Sequence, residues 1–145
     1  MNNALKRSVD MVLRIATKED KTKEDITTKF LLNSKKIKMG VFFKETGVLC
    51  GKGIVNQIVK KINKDIRIRW NYKEGEEIKK GSTVAIISGP GDTIVSNERV
   101  ILNFLQKLCG IATLTRLFVK KLDNKKIKIL DTRKTIPGWR HLEKY

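Results

Sequence analysis

Residues 126–138, KIKILDTRKTIPG, constrain the fold more than any other stretch of this chain. Ile127 and Ile129 alternate with lysines and Leu130 closes the run, which is the period of a short β-strand. Asp131-Thr132-Arg133-Lys134-Thr135 follows directly, and Pro137-Gly138 stops it. A strand that runs into a loop dense with hydrogen-bond donors is the βα arrangement of α/β folds, where ligands bind beyond the C-terminal strand ends. Arg133 offers a planar fork for a carboxylate or phosphate, Lys134 a point charge, and Thr132 and Thr135 hydroxyls. On composition alone the same residues make an equally good solvated basic turn. Residues 139–145 then start a helix, so a βα repeat begins here. It is not completed, because one strand and one helical turn cannot cover both faces of a parallel sheet.

The upstream chain supplies the other elements. Ala4, Leu5, Val9, Val12, Leu13 and Ala16 recur at helical spacing and predict an amphipathic helix over residues 3–19. Asp25 or the threonines after it can cap a short turn. Residues 37–44, IKMGVFFK, read as a strand that turns at Glu45-Thr46-Gly47. Ile54, Val55, Ile58, Val59 and Ile62 line one face of a second helix over residues 53–63. Residues 66–72, IRIRWNY, alternate strictly as a half-exposed strand, and residues 83–88 form a buried strand ending at Gly89-Pro90-Gly91. The glycine spacing between Glu74 and Ile87 has the tight-turn rhythm of biotinyl and lipoyl modules. No Met-Lys or Asp-Lys pair stands at a hairpin tip, so a carrier module is a poor reading of the whole chain. Residues 93–108 predict a helix with Ser96 as N-cap, broken at Gly110. A further helix over 111–122 then ends in Lys120 and Lys121, the charge that suits a helix C-terminus.

Charge is the one compositional feature that suggests a partner. Thirty-two Lys+Arg against 15 Asp+Glu give +17, a balance that can mark a polyanion-binding surface. Here the lysines are spread along the whole chain and fall on the polar faces of amphipathic segments, the pattern of a solvated surface rather than a nucleic-acid footprint. No zinc-finger spacing or RNA-binding aromatic signature accompanies them. Cys50 and Cys109 are isolated, and His141 is the only histidine, which argues against a zinc site. Reduced, buried thiols fit the cytoplasm. No uninterrupted apolar run approaches the roughly 18–20 residues of a membrane span, and the amphipathic N-terminus lacks the core of a signal peptide.

Two blocks resemble a known family. Glu98-Arg99, Leu102-Asn103-Phe104-Leu105-Gln106 and Gly110-Ile111-Ala112-Thr113-Leu114-Thr115 look like the helix pair of the quinolinate phosphoribosyltransferases, also called carboxylating nicotinate-nucleotide pyrophosphorylases. Residues 129–138, ILDTRKTIPG, resemble the first barrel strand and loop of that family, and Glu143-Lys144-Tyr145 continue it. Asp25-Ile26-Thr27-Thr28, Gly47-Val48-Leu49 with Gly51, and Gly89-Pro90 fall in the family's order, with Glu24 standing where a glycine is common.

The resemblance implies an α/β chain: an N-terminal α+β sandwich domain over 1–109, then the first βα piece of an incomplete α/β barrel over 110–145. It implies a homodimer or higher oligomer in which one N-terminal domain covers its neighbour's barrel mouth. The implied reaction joins quinolinate to phosphoribosyl pyrophosphate with magnesium, giving nicotinate mononucleotide, pyrophosphate and carbon dioxide in NAD synthesis. It assigns substrate binding to Arg99, acting in the partner's site, and to Thr132, Arg133 and Lys134; no catalytic residue or protein metal ligand is assigned. Without it, Arg99 would read as a solvated helix charge. Arg116 and Lys144 are expected to be structural or peripheral, His141 a surface or packing residue, and Trp139 a bulky residue able to reshape the pocket rim.

The family pattern continues past Tyr145 with a His-Arg pair, a lysine and acidic residues of the substrate sites. The expectation is therefore that these 145 residues alone are inactive and leave apolar surface uncovered. A molybdenum-transport protein of the same fold and a basic nucleic-acid-binding module are the alternatives; the TRKTIPG loop favours the transferase.

Overall fold

The structure, a computed structural model, describes residues 2–22, 24–32, 35–122 and 126–145, without the Lys29 side chain. Helix α1 (Asn3–Glu19) starts where Asn2 accepts a 2.8 Å hydrogen bond from the Leu5 N–H, and it turns Leu5, Val9, Val12 and Leu13 inward. Asp25 caps α2 (Ile26–Leu32) through the Thr28 N–H at 2.9 Å, as expected for this position. Strands β1 (Lys36–Phe42), β3 (Arg67–Trp70) and β5 (Thr83–Pro90) form an antiparallel sheet in the order β1-β5-β3. The register sets Met39 and Ile68 on either side of Ile87, and Val41 and Trp70 on either side of Ala85. One face is thus apolar, while the intervening Lys38, Arg67 and Arg69 are directed away from it. A second, two-stranded ladder pairs β2 (Gly47–Val48) with β4 (Glu77–Ile78).

Helices α3 (Lys52–Ile62) and α4 (Gly91–Leu122) pack against the sheets, and α1 packs on these two helices. Phe104, Ile54, Ile58, Ile94, Ile101 and Leu108 are fully buried in the shared core. The result is a mixed α/β sandwich. At its end α5 (Arg140–Glu143) folds back onto α1 and α4, burying Leu142 and stacking Trp139 on Phe104 at 5.1 Å between ring centroids. Trp139 is therefore part of the packing rather than a shaper of the loop's rim.

Helix α3 begins at Gly51, whose φ of +101° lies in the left-handed region. No side chain of its own caps it. Instead the Glu74 carboxylate, brought in from the loop between β3 and β4, accepts hydrogen bonds from the Gly51 and Lys52 N–H groups. A Cβ at Gly51 would stand 2.6 Å from Leu108 Cδ1, whereas at Gly75 (φ +77°) it would meet nothing within 4 Å. Both Gly→Ala changes incur the left-handed backbone cost of about 1–2 kcal/mol. Gly51→Ala must in addition displace Leu108, so thermal melts of the two variants are expected to show the larger loss at Gly51; equal losses would remove the packing argument.

Two expectations are corrected. First, residues 93–108 and 111–122 are not two helices, for α4 runs unbroken through Gly110. A mid-helix glycine costs only about 1 kcal/mol relative to alanine, and anchors beyond it outweigh that. The Thr113 hydroxyl donates to the Cys109 carbonyl and accepts from the Val48 N–H at 2.8 Å, Arg116 donates to the Gly75 carbonyl, and Lys120 pairs with Glu77 at 2.9 Å. The helix also starts at Gly91, directly after β5, so Ser96 is not its N-cap; its hydroxyl donates to Asp25 instead. The expected boundary between residues 109 and 110 falls inside this helix.

Helix α4 is also long and apolar enough, by length and composition, to cross a membrane, though no apolar run of that length within it is uninterrupted. Its first half is nevertheless the central helix of the core, burying Ile94, Val100, Ile101, Phe104, Leu105 and Leu108 against the other elements. Second, residues 127–130 are not a strand. They lie exposed with no ladder partner. A strand takes its hydrogen bonds from a neighbour, and none of the described residues provides one.

Candidate functional site

The loop after residue 130 is held by the short helix that follows it. Arg140 reaches back to the Thr135 hydroxyl at 3.4 Å and to the Arg133 carbonyl at 3.5 Å. The Ile136 N–H donates to Glu143 at 3.4 Å, and Lys144 pairs with Asp131 at 2.6 Å. Thr132 accepts from the Lys134 N–H at 3.0 Å, closing a local turn. With α5 anchored through Trp139 and Leu142, these contacts fix the loop's backbone while its side chains face solvent. The Arg133 and Lys134 cations make no hydrogen bond or ion pair among the described residues, so both are available to an anion.

Arg99 lies elsewhere, on the outer face of α4. Its side chain is 75% exposed, and its Nη1 donates to Asp20 at 2.6 Å. That hydrogen bond, then the charge of Asp20, raises the guanidinium's pKa. Arg99 lines a cleft of about 700 Å³ together with Asp20, Thr22, Asp25, Ser96 and Asn103. A second cleft of about 670 Å³ lies between α1, α3 and the start of α4, where Lys61 pairs with Asp10 at 2.9 Å. Thr132, Arg133 and Lys134 line neither cleft. The protomer therefore brings three of the four expected binding residues together and keeps Arg99 apart from them.

The braces are only partly legible in the sequence. Lys144 was expected to be structural or peripheral and is a brace, and Arg116 is structural too, held on the Gly75 carbonyl. Arg140 and Glu143 carry no sequence signal for their role, and the Asp20–Arg99 pair joins residues 79 apart. His141 is exposed.

Against this geometry stand two family matches. The family model for the quinolinate phosphoribosyl transferase N-terminal domain matches residues 25–109, and that for the C-terminal domain matches residues 111–145. The chain belongs to the quinolinate phosphoribosyltransferase family.

A Bacillus subtilis protein named Probable nicotinate-nucleotide pyrophosphorylase (carboxylating) is 37% identical over 127 residues, covering 88% of this chain and 44% of its own length. A chloroplastic nicotinate-nucleotide pyrophosphorylase of Arabidopsis thaliana is 37% identical over 102 residues, 70% of this chain and 29% of its own. The crystal structure of NadC from Streptococcus pyogenes superposes with a TM-score of 0.88 at 35% identity, over 94% of this chain and 49% of that one. The Francisella tularensis nicotinate-nucleotide pyrophosphorylase gives 0.87 at 34% identity, over 96% and 50%. The chain thus spans half or less of the length of these relatives.

The thiols of this family member take no part in the loop. The Cys50 N–H donates to Cys109 Sγ at 3.3 Å, and that thiol donates to the Cys50 carbonyl at 3.4 Å, tying the start of α3 to α4. Burial, reinforced by Glu74, pushes Cys50 up to about 12; burial pushes Cys109 up to about 11. Both therefore keep their protons at values where an unfolded thiol, near 9.0, has lost its own. The sign follows: their contribution to stability is intact below about pH 9 and is lost as pH rises through 11 and 12. Since the thiolate is the nucleophile, iodoacetamide at pH 8 should alkylate native Cys50 far more slowly than in urea. Comparable rates in the two states, read by mass spectrometry, would contradict that protonated, occluded pair.

Proposed function

We propose that this chain contributes substrate-binding elements to an enzyme that joins quinolinate to phosphoribosyl pyrophosphate, yielding nicotinate mononucleotide, pyrophosphate and carbon dioxide. Family membership supports the reaction class. The observation that carries the site is the pair of uncommitted cations, Arg133 and Lys134, on a loop braced by Arg140, Glu143 and Lys144. A guanidinium meets a carboxylate through two parallel hydrogen bonds, and quinolinate presents two adjacent carboxylates. Thr132 and Arg133 orient one, while Lys134 adds positive charge where pyrophosphate leaves and carbon dioxide is lost.

Arg99 acts in this reading from a second protomer of a homodimer or larger homo-oligomer, consistent with its outward position on α4 and its separation from the loop. The division into a domain over 1–109 and a barrel portion from 110 is part of the same reading, as is a cytoplasmic location. Magnesium fits as a companion of phosphoribosyl pyrophosphate rather than as a resident ion. Among the described residues no cluster of three or more His, Cys, Asp or Glu could hold it, and Asp131, the carboxylate nearest the loop in sequence, is committed to Lys144.

Trp139 offers a direct test, because Arg140 links it to the loop. In a Trp70→Phe background it is the only indole of the chain's two tryptophans. Titration with quinolinate is expected to change its emission saturably, and nicotinate, with one carboxylate, is expected to do so far more weakly. No response to quinolinate would count against the site. The 145-residue chain alone is expected to form no nicotinate mononucleotide from quinolinate and phosphoribosyl pyrophosphate, because Arg133 and Lys134 supply one wall only.

A further inference from the structure

The three-stranded sheet has one packed face and one bare face. Helices α3 and α4 lie against the side that carries Met39, Ile68, Ala85 and Ile87. On the other side the register sets Lys38 and Arg67 across Ser88, and Gly40 and Arg69 across Ile86. Lys36 stands at one end of this face and Phe42 at the other, and every β1 and β3 residue in these rows is exposed. Along the chain the cations stand singly between apolar residues, and only strand pairing collects them. Alternate residues of a strand are about 6.8 Å apart and neighbouring strands about 4.8 Å. The cations therefore form two rails about 10 Å apart, one on β1 and one on β3. Half-buried Ile86 and Ser88 make the floor between them, and Gly40, without a side chain, opens that floor on the β1 side.

The face carries one sign of charge. Strands β1, β3 and β5 contain no Asp or Glu, and the carboxylates nearest in sequence, Glu45 and Asp65, stand on flanking loops. Among the described residues none of the four cations forms an ion pair, and Arg67 donates only to the Lys64 and Ile66 carbonyls. A surface that merely keeps a protein soluble intersperses both signs. We propose that this sheet face binds single-stranded nucleic acid, with phosphates on the Lys36–Lys38 and Arg67–Arg69 rails and bases over Ile86 and against Phe42. Unpaired cations on two rails complement a polyanion. A flat sheet face does not enter a duplex groove, which admits a helix or a two-stranded ribbon. The apolar floor and the exposed Phe42 ring accept base faces that a duplex keeps stacked inside, whereas an acidic peptide brings carboxylates without flat apolar rings. With one aromatic ring on the face, phosphate contacts supply most of the affinity, so binding is salt-sensitive and nearly indifferent to sequence. The proposal is independent of the quinolinate reading, because Arg133 and Lys134 lie on none of these strands.

Fluorescence anisotropy of a labelled oligothymidylate with this chain tests it. The logarithm of the binding constant should fall against that of salt with a slope of about −3, as four phosphate contacts on a single strand require. Lys38→Gln combined with Arg69→Gln should weaken binding at least tenfold at low salt and cut that slope by about half. Both side chains are exposed, so the melting temperature should hold. Lys18→Gln combined with Lys60→Gln removes the same charge from exposed positions on α1 and α3 and should leave affinity and slope near the original. Phe42→Ala should weaken binding about fivefold or more with the slope kept. No binding, binding that survives the Lys38/Arg69 double variant, or an equal loss in the Lys18/Lys60 variant would overturn the proposal. So would displacement by quinolinate, equal competition by polyglutamate, or a preference for duplex DNA of the same length.

Discussion

Phe104→Ala is expected to lower the melting temperature of this chain by about 10–20 °C, from a loss of about 3–5 kcal/mol. Phe104 is 1% exposed in the middle of α4 and is the largest fully buried side chain. Its ring does two things at once. It fills the core shared by α1, α3 and the sheet, and it carries the stack with Trp139 that holds the lead-in to α5. Removing it leaves a cavity that the surrounding helices cannot close, and frees the segment that braces the loop. A domain with about 5–15 kcal/mol in total cannot absorb that easily. Two readouts separate the effects: circular dichroism reports the global melt, and Trp139 emission should shift to the red below that melt as the indole loses its cover. Phe118→Ala on the exposed side of the same helix is the control, with an expected change within about 0.5 kcal/mol. A small effect at Phe104, or an unshifted Trp139, would mean that α5 is held by something other than this stack.

Arg133→Ala should weaken quinolinate binding by about 10- to 100-fold, the range expected when hydrogen bonds to a charged group are lost. The Arg133 side chain has no internal partner in the protein, so its loss should leave the fold intact and be felt by the ligand alone. Arg133→Lys separates charge from geometry. It keeps the cation but loses the planar fork, and should recover only a small part of the affinity. Lys134→Ala should have a smaller effect that fades with added salt, as suits a point charge. The Trp139 titration measures all three. Full recovery in Arg133→Lys would show that the site reads charge rather than carboxylate shape, and equal losses at Arg133 and Lys134 would argue against a bidentate clamp.

Much of this was legible in the chain because local rules were left undisturbed by tertiary contacts. The amphipathic spacing of α1 and α3 and the alternation of β3 are properties of adjacent residues, and the structure keeps them. The Asp25 cap and the exposed cations of the TRKTIPG loop are local in the same sense. Reading failed where two residues far apart decide the outcome. Gly110 looks like a helix stop until Thr113 meets Val48, 65 residues away. Ser96 looks like an N-cap until the preceding strand feeds straight into α4. The alternation of residues 127–130 is a strand signal, but a strand is a relation between two segments, and one segment cannot satisfy it.

The opening stretch shows the division most plainly. Sequence alone determined the chemistry of residues 131–135, because donors and charges belong to side chains wherever the backbone goes. It also determined the family resemblance, since that rests on residue order. Only the tertiary structure decided that the preceding strand is unformed, that Arg140, Glu143 and Lys144 hold the loop in its place, and that Arg99 is paired with Asp20 on another face. The physical reason is the same in each case: backbone pairing, ion pairs and burial are set by which surfaces meet, and that is fixed by packing over the whole chain rather than by neighbours in it.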